Sequence, residues 1–511
     1  MAHEAQRTRA APPRRRWLRG CAWGCGGTIV LLLILVALLL VLLSRVPTSY
    51  PPAARPLDPP SPADYAAAGL DGFESPYLGH TGSWDGKGGA MWGRSKAADL
   101  DLEVGLGLRW TFMPVHWRAM EPDGPVDLSK GVPEAWQALD AFVIEAEKRK
   151  LNVLMQAPVV GGNAGGPPDW AGRREPGKSA PADMEAAAAL AGKLAARYAP
   201  GGTLAVREGW GERYGVRAWE LDNEPESYRT CWSGQAGDYA EFAATSAARI
   251  KRADPRAVIA LPACTGGGHA AGWIEPALDA HRLAGSPEYR RRGAAHSVGP
   301  VADVISFHIY EGLDSMFADR TVERVFGELR DVFDKWETGA AGFHYSRKRE
   351  YWHTEGNFDF LGLLSAARRA AWRLQFFTRA FAAGVRKVCV MDARSAPEQA
   401  AVRAYVGALA WPFPMRPADG EVKVLRGSAA AFRHPDGDKP GAGHVWVLWA
   451  VADTGDAQVE VPVVREQVTL IQVDGTTTVR RVSARRLAVD LSGDRKMAPP
   501  ILVVDRPTGG P

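Results

Sequence analysis

Two glutamates stand at the ends of apolar, strand-like runs. In Val216-Arg-Ala-Trp-Glu-Leu-Asp-Asn-Glu-Pro225 the run closes on Asn223-Glu224-Pro225, and the proline, which has no N–H to give to a ladder, stops the strand. In Arg349-Glu-Tyr-Trp-His-Thr-Glu-Gly356 a second run closes on Glu355, and Gly356 lets the chain turn away. A third run, Asp303-Val-Ile-Ser-Phe-His-Ile-Tyr310, places His308 and Tyr310 on one face through the two-residue period of a strand. Two carboxyl groups that share a pocket can divide their labour: one, kept protonated by partial burial and a neighbouring negative charge, gives a proton, and the other stays ionised. Asn223 adds an amide able to bond a substrate hydroxyl.

Alone, a Glu-Pro pair is a common helix start, because proline fits the first turn and a carboxylate suits its positive end. Paired with a second strand-ending glutamate it gains chemical meaning, provided a fold brings the two together. From about Leu70 to Met415, short apolar runs alternate with helix-period segments, as expected of repeated strand–helix units around a parallel sheet. The strands predicted are a short one near Gly79–Trp84, then Leu106–Phe112, Asn152–Gln156, Val216–Leu221, Val258–Leu261, Val304–Tyr310, Glu350–Thr354 and Arg386–Met391. Apolar residues at three- and four-residue intervals predict a helix over Thr321–Trp336, and Ala135, Trp136, Leu139, Phe142, Val143 and Ala146 mark another. The expectation is an α/β fold, a (β/α)8 TIM barrel over 68–416, whose strand ends at the carboxyl face carry the site. After Pro417 the pattern becomes strand-like runs at His444–Val451, Gln458–Val461, Val468–Val473, Leu487–Leu491 and Ile501–Val504, which predicts a β-sandwich over 417–511.

Of the 511 residues 46% are hydrophobic and 23% charged, a balance that excludes wholesale disorder. A formal charge of +4 over this length excludes an electrostatic nucleic-acid binder, so no nucleic-acid partner is expected. Only the tail, 1–20, is strongly basic. Residues 21–43 carry no charge, and a bilayer core of about 30 Å takes roughly 20 helical residues to cross. Arg7, Arg9, Arg14, Arg15, Arg16 and Arg19 precede this span and only Arg45 and Arg55 closely follow it, which predicts a cytoplasmic amino terminus and an extracytoplasmic remainder, periplasmic or at the cell surface. Ser44-Arg45-Val46-Pro47 lacks a small-x-small cleavage site, favouring an uncleaved transmembrane anchor over a secretory signal. Seven prolines among the sixteen residues from Pro47 to Pro62 make 44–67 a stalk. Five cysteines are too few for a disulfide framework and leave a Cys231–Cys264 bridge open. No metal spacing stands out among the histidines and cysteines.

Trp219-Glu-Leu-Asp-Asn-Glu-Pro225 resembles the fourth-strand signature of glycoside hydrolase clan A, and Tyr351-Trp-His-Thr-Glu-Gly356 resembles its seventh-strand nucleophile signature. Leu106-Gly-Leu-Arg-Trp-Thr-Phe112, with Trp117, Glu121-Pro122 and Gly124, is similar to its second-strand region. The C-terminal sheet and the His308/Tyr310 pattern resemble most the family 39 neighbourhood of β-xylosidases and α-L-iduronidases. This resemblance implies retaining hydrolysis of a glycan or oligosaccharide with no cofactor: Glu355 attacks the anomeric carbon, while Glu224 protonates the departing oxygen and then activates water. It implies further that Tyr310 orients Glu355, Asn223 holds the sugar's 2-hydroxyl and His308 supports them. Among the tryptophans of candidate active-face loops, Trp232 is the expected sugar platform. Two departures stand out: Phe112 where the clan has an arginine, and Met391-Asp392 where a tryptophan commonly ends the eighth strand. The competing reading is a non-catalytic carbohydrate-binding barrel or an envelope scaffold, and the presence of both carboxylates argues against it.

Overall fold

A computed structural model of the chain describes residues 73–80, 96–161, 166–175, 179–226, 236–264, 302–311, 321–337, 350–356, 364–391, 393–435, 443–451, 455–492 and 498–506, with residues 32, 35 and 63. The chain divides into two units, Met1–Val46 and Pro47–Pro511. In the first, only Leu32 and Leu35 are described, both helical. The expected span over 21–43 therefore falls almost wholly outside the described residues, among which no helix is long and apolar enough to cross a membrane.

In the second unit eight parallel strands follow one another: β1 Tyr77–His80, β2 Trp110–His116, β3 Asn152–Val159, β4 Ala218–Glu220, β5 Val258–Cys264, β6 Val304–His308, β7 Glu350–Glu355 and β8 Val388–Met391. They hydrogen-bond in the order β7-β6-β5-β4-β3-β2-β1-β8. Arg386 N–H donates to the Tyr351 carbonyl and His353 N–H to that of Lys387, both at 2.8 Å, which ties β7 to the approach to β8 and closes the barrel. The longer helices described between and after the strands are α1 Lys96–Gly105, α2 Glu134–Lys148, α3 Met184–Tyr198, α4 Ala236–Ala253, α5 Val322–Glu337, α6 Ala366–Ala383 and α7 Ala396–Ala408. Their starts are written in the sequence: Asp183, Ser365 and Ser395 each accept a hydrogen bond from a first-turn N–H of α3, α6 and α7.

Two predicted strands shift. Leu106 and Leu108 belong to the turn after α1, where their N–H groups bond back to the carbonyls of Leu102 and Glu103 and Gly107 takes a φ of +85°, so the second strand starts only at Trp110. The first strand lies earlier than expected, at Tyr77–His80, and residues 81–84 fall outside the described ones. Inside the barrel, Phe73, Leu78, Trp110, Phe112, Leu154, Ala218, Ala260, Val304 and Trp352 form one buried cluster. Beneath it, Lys387 donates to the carbonyls of Phe73 and Ser75 at 2.5 and 2.6 Å and lies 4.3 Å from the Trp110 ring and 5.0 Å from that of Trp352.

The C-terminal part is a sandwich of two antiparallel sheets, ordered β10-β13-β16 and β15-β14-β17-β12-β11-β9. Its strands are β9 Arg416–Pro417, β10 Lys423–Arg426, β11 Ala429–Pro435, β12 His444–Ala450, β13 Ala457–Pro462, β14 Gln467–Ile471, β15 Thr477–Arg481, β16 Arg486–Leu491 and β17 Ile501–Asp505. The alternation of buried and open residues along β13 and β16 marks a sheet with one covered face. β17 is buried throughout and β12 nearly so, and Gln375 of α6 donates to the Ala498 carbonyl just before β17, seating the larger sheet on the barrel.

Candidate active site

Strand alternation decides which side chains enter the barrel. Ala218 lies in the interior cluster, so Glu220, two residues on, also points inward, while Trp219 packs outward. Val304 likewise sends Ser306 and His308 inward, and Trp352 sends Thr354. Glu355 would then face away, but a bulge intervenes: Phe307 pairs with His353 and His308 with Glu355, so Thr354 is the extra residue and Glu355 comes level with His308. At Gly356 any Cβ would collide with the Ile309 carbonyl and the His353 ring; the glycine is needed for this close approach rather than for an unusual turn. On β4 the chain leaves the sheet through Asp222 and Glu224 at φ of +67° and +41°, conformations uncommon for side-chain-bearing residues. Asp222 secures this exit by accepting from Val160 N–H at 2.9 Å and Gly161 N–H at 3.2 Å.

These constraints bring Glu224, His308, Tyr310 and Glu355 together. A carboxylate oxygen of Glu224, one of Glu355 and a ring nitrogen of His308 all lie within 4.8 Å of one another. His308 Nδ1 is 2.9 Å from Glu224 Oε1 and 3.9 Å from Glu355 Oε2, and the Tyr310 hydroxyl donates to Glu355 Oε1. Glu224 and Glu355 keep 12% and 20% of their side-chain surface open while His308 keeps none, so the carboxylates face outward and the histidine backs them. Asn223 stands beside Glu224, its Oδ1 accepting from Gln156 Nε2 at 3.0 Å.

The charges follow from this packing. Burial disfavours the His308 cation, but Glu355, Glu224 and Glu220 outweigh it and lift its pKa to about 9. Burial pushes the Glu355 carboxyl up, but His308, His80 and the Tyr310 hydroxyl together hold it below its ordinary value. Burial raises the Tyr310 hydroxyl well above the usual phenol range, and Glu355 adds to that, so the tyrosine remains a donor. Burial also raises Asp222 to about 6 against its backbone hydrogen bonds. The Glu224–His308–Glu355 trio also has the spacing of a metal site, and His308 Nδ1 is within hydrogen-bonding distance of Glu224 there.

The fold has been seen before. No protein-family model matches the sequence, and no curated protein matches it. Among solved structures the chain is similar to a monomeric β-xylosidase from Caulobacter crescentus, at 16% identity over 90% of this chain and 98% of that one, with a TM-score of 0.52. It is similar to a glucosidase from Croceicoccus marinus, at 14% identity, 80% and 91% coverage and a TM-score of 0.52. A bifunctional glucanase-xylanase from a metagenome library gives 13%, 85% and 96%, again with a TM-score of 0.52. At these identities the likeness is one of fold.

Trp232 and Asp392 fall outside the described residues, as does Cys231 of the open disulfide. Trp170 is packing: its ring meets Trp117 edge-on and its N–H donates to the Glu121 carbonyl at 2.8 Å. Phe112 sits in mid-strand with its ring 4.6 Å from that of His80, the histidine that supplies positive charge to Glu355. The sequence reading passed over His80, Gln156, Glu220 and Thr354. Glu220 had a signal, since two-residue alternation places it inward with Ala218; the others depend on neighbouring strands.

Proposed function

We propose that this protein is a retaining O-glycosyl hydrolase of the clan A type, closest in motif pattern to family 39, acting on a glycan or oligosaccharide. The observation that carries the reading is the approach of Glu224 and Glu355 oxygens to within 4.8 Å, beside the roughly 5–5.5 Å expected of retaining pairs and well short of the gap that admits an inverting water. Glu355, held ionised by His308 and His80, attacks the anomeric carbon as the glycosidic bond breaks, and the departing oxygen takes a proton from Glu224. His308, hydrogen-bonded to Glu224 at 2.9 Å, fixes the direction in which that carboxyl points. Once Glu355 is esterified, its charge is gone; Glu224 removes a proton from water, whose oxygen displaces Glu355 and releases the sugar. Tyr310 keeps Glu355 turned toward the reacting carbon.

The uncharged span over 21–43 and the arginines before it support a membrane-anchored enzyme working outside the cytoplasm from a proline-rich stalk. The test is a panel of chromogenic aryl glycosides and oligosaccharides offered to the full chain, to Glu355→Ala and to Glu224→Ala. Wild-type turnover of at least one, lost in both variants and restored in Glu224→Ala by azide with an activated leaving group, is the expected result. Wild-type rates in either variant would remove that residue from the mechanism.

A further inference from the structure

Below the catalytic level lies a second polar layer that the reaction as written does not use. Glu220 on β4 is fully buried and its two oxygens accept from opposite sides, Oε1 from the Thr354 hydroxyl of β7 at 2.9 Å and Oε2 from Gln156 Nε2 of β3 at 2.7 Å. Gln156 is 2% exposed and stands directly across from Glu220 in the β3–β4 register. Its Nε2 makes a second bond, to Asn223 Oδ1 at 3.0 Å.

We infer that Gln156 and Glu220 are positioning residues for Asn223, setting which end of its amide is offered to substrate. The reasoning is one of hydrogen-bond polarity. A carboxylate only accepts, so Glu220 fixes the Gln156 amide with its nitrogen toward Oε2. That nitrogen has two hydrogens, and the second fixes the Asn223 amide with its oxygen inward. The Asn223 nitrogen is then left as the donor end, the polarity that matches a sugar hydroxyl accepting through its oxygen. A neutral acid at 220 could donate as well as accept, and the direction of both amides would be lost. Burial raises the Glu220 carboxyl above its ordinary value, and the charge of His308 with the hydrogen bonds from Thr354 and Gln156 opposes that rise, so the amide polarity rests on the geometry of those contacts. Thr354, next to the attacking Glu355, shares the same anchor, so one carboxylate steadies both walls of the site.

This inference rests on the glycosidase reading of Asn223, and its test separates the two. The full-length chain and its Gln156→Met variant, which keeps the volume and removes both donors, are compared on a matched pair of aryl glycosides with and without the 2-hydroxyl. The 2-hydroxy substrate should lose about tenfold in kcat/KM, as for one lost hydrogen bond, and the 2-deoxy substrate less than about twofold. In an Asn223→Ala background Gln156→Met should cost nothing further on either substrate. Equal losses on both substrates, or losses that add to Asn223→Ala, would overturn the inference while leaving the hydrolase intact.

A readout independent of turnover is the Asn223 side-chain amide resonance in asparagine-labelled protein. It should move, and its protons should exchange faster with solvent, in both Gln156→Met and Glu220→Gln. An amide signal unchanged in both variants contradicts the inference even if no glycoside is cleaved; absence of cleavage by wild type strikes the hydrolase reading instead.

Discussion

His308 and Lys387 are basic groups buried toward opposite ends of this barrel, and their surroundings drive them in opposite directions. At the carboxyl end His308 meets three carboxylates, which overcome burial and raise its pKa to about 9. At the amino end burial dominates around Lys387, only partly opposed by Glu350 and Glu74, and lowers its pKa to about 7. There the ammonium finds two backbone carbonyls and the faces of Trp110 and Trp352, partners that hold a cation without ionised contacts. The difference teaches how one fold treats buried charge in two ways: acids gather around the histidine and stabilise its cation, while rings gather around the lysine to fill the barrel floor.

The largest effects should separate the two ends outright. Glu224→Ala and Glu355→Ala should each lower turnover by about 10²–10⁴-fold, the usual worth of such groups, with little change in thermal unfolding. Trp110→Ala, at a fully buried floor position, should do the reverse, costing about 3–5 kcal/mol of stability while the folded fraction keeps its turnover. Assays paired with circular-dichroism melts check both, and an early-melting Glu355→Ala protein would join what the comparison divides.

Next in size is the pH dependence of activity. kcat/KM should fall on the alkaline side near pH 9 as His308 gives up its proton, and on the acid side below the ordinary carboxylate range as Glu355 gains one. Replacing His308 by asparagine should move the alkaline limb, and an unmoved limb would assign it to another group.

The smallest effect is a pair of opposed stability slopes. His308 is raised above its unfolded value of 6.5, so the folded state holds the extra proton, and its contribution, full below pH 6.5, is lost as pH rises through about 9. Lys387 is depressed from 10.5, so the unfolded state holds the extra proton, and stability rises from about pH 7 toward 10.5. Between pH 7 and 9 the two oppose each other. Lys387→Met should therefore unmask a fall in stability with pH across that window, measured by urea unfolding, and a curve parallel to wild type would show that Lys387 titrates as an ordinary lysine.

Much of this was legible in the sequence because short apolar strands and strand-ending glutamates are local signals. The runs closing on Glu224 and Glu355 needed only alternation and a proline or glycine to be placed. What was not legible depends on neighbours. The bulge that turns both Thr354 and Glu355 inward is a property of the β6–β7 register, and period-two counting on β7 alone sends one of them out. The Leu106–Leu108 stretch reads as a strand by composition but is claimed by the end of α1. In the sandwich, β15 is exposed along its whole length and β10 likewise, so neither carried an alternation to read. Gln156 gave no sign of its role, since its two acceptors come from another strand and the loop beyond it.

The most direct test of the Glu224–Glu355 pair is the configuration of the sugar at the moment of release, followed by proton NMR on the first glycoside the full chain is found to cleave. Two carboxylates at this separation predict that the first anomer to accumulate keeps the configuration of the substrate, with the other growing in only by mutarotation. First release of the inverted anomer would contradict the account, because it would require a water where the structure places Glu355.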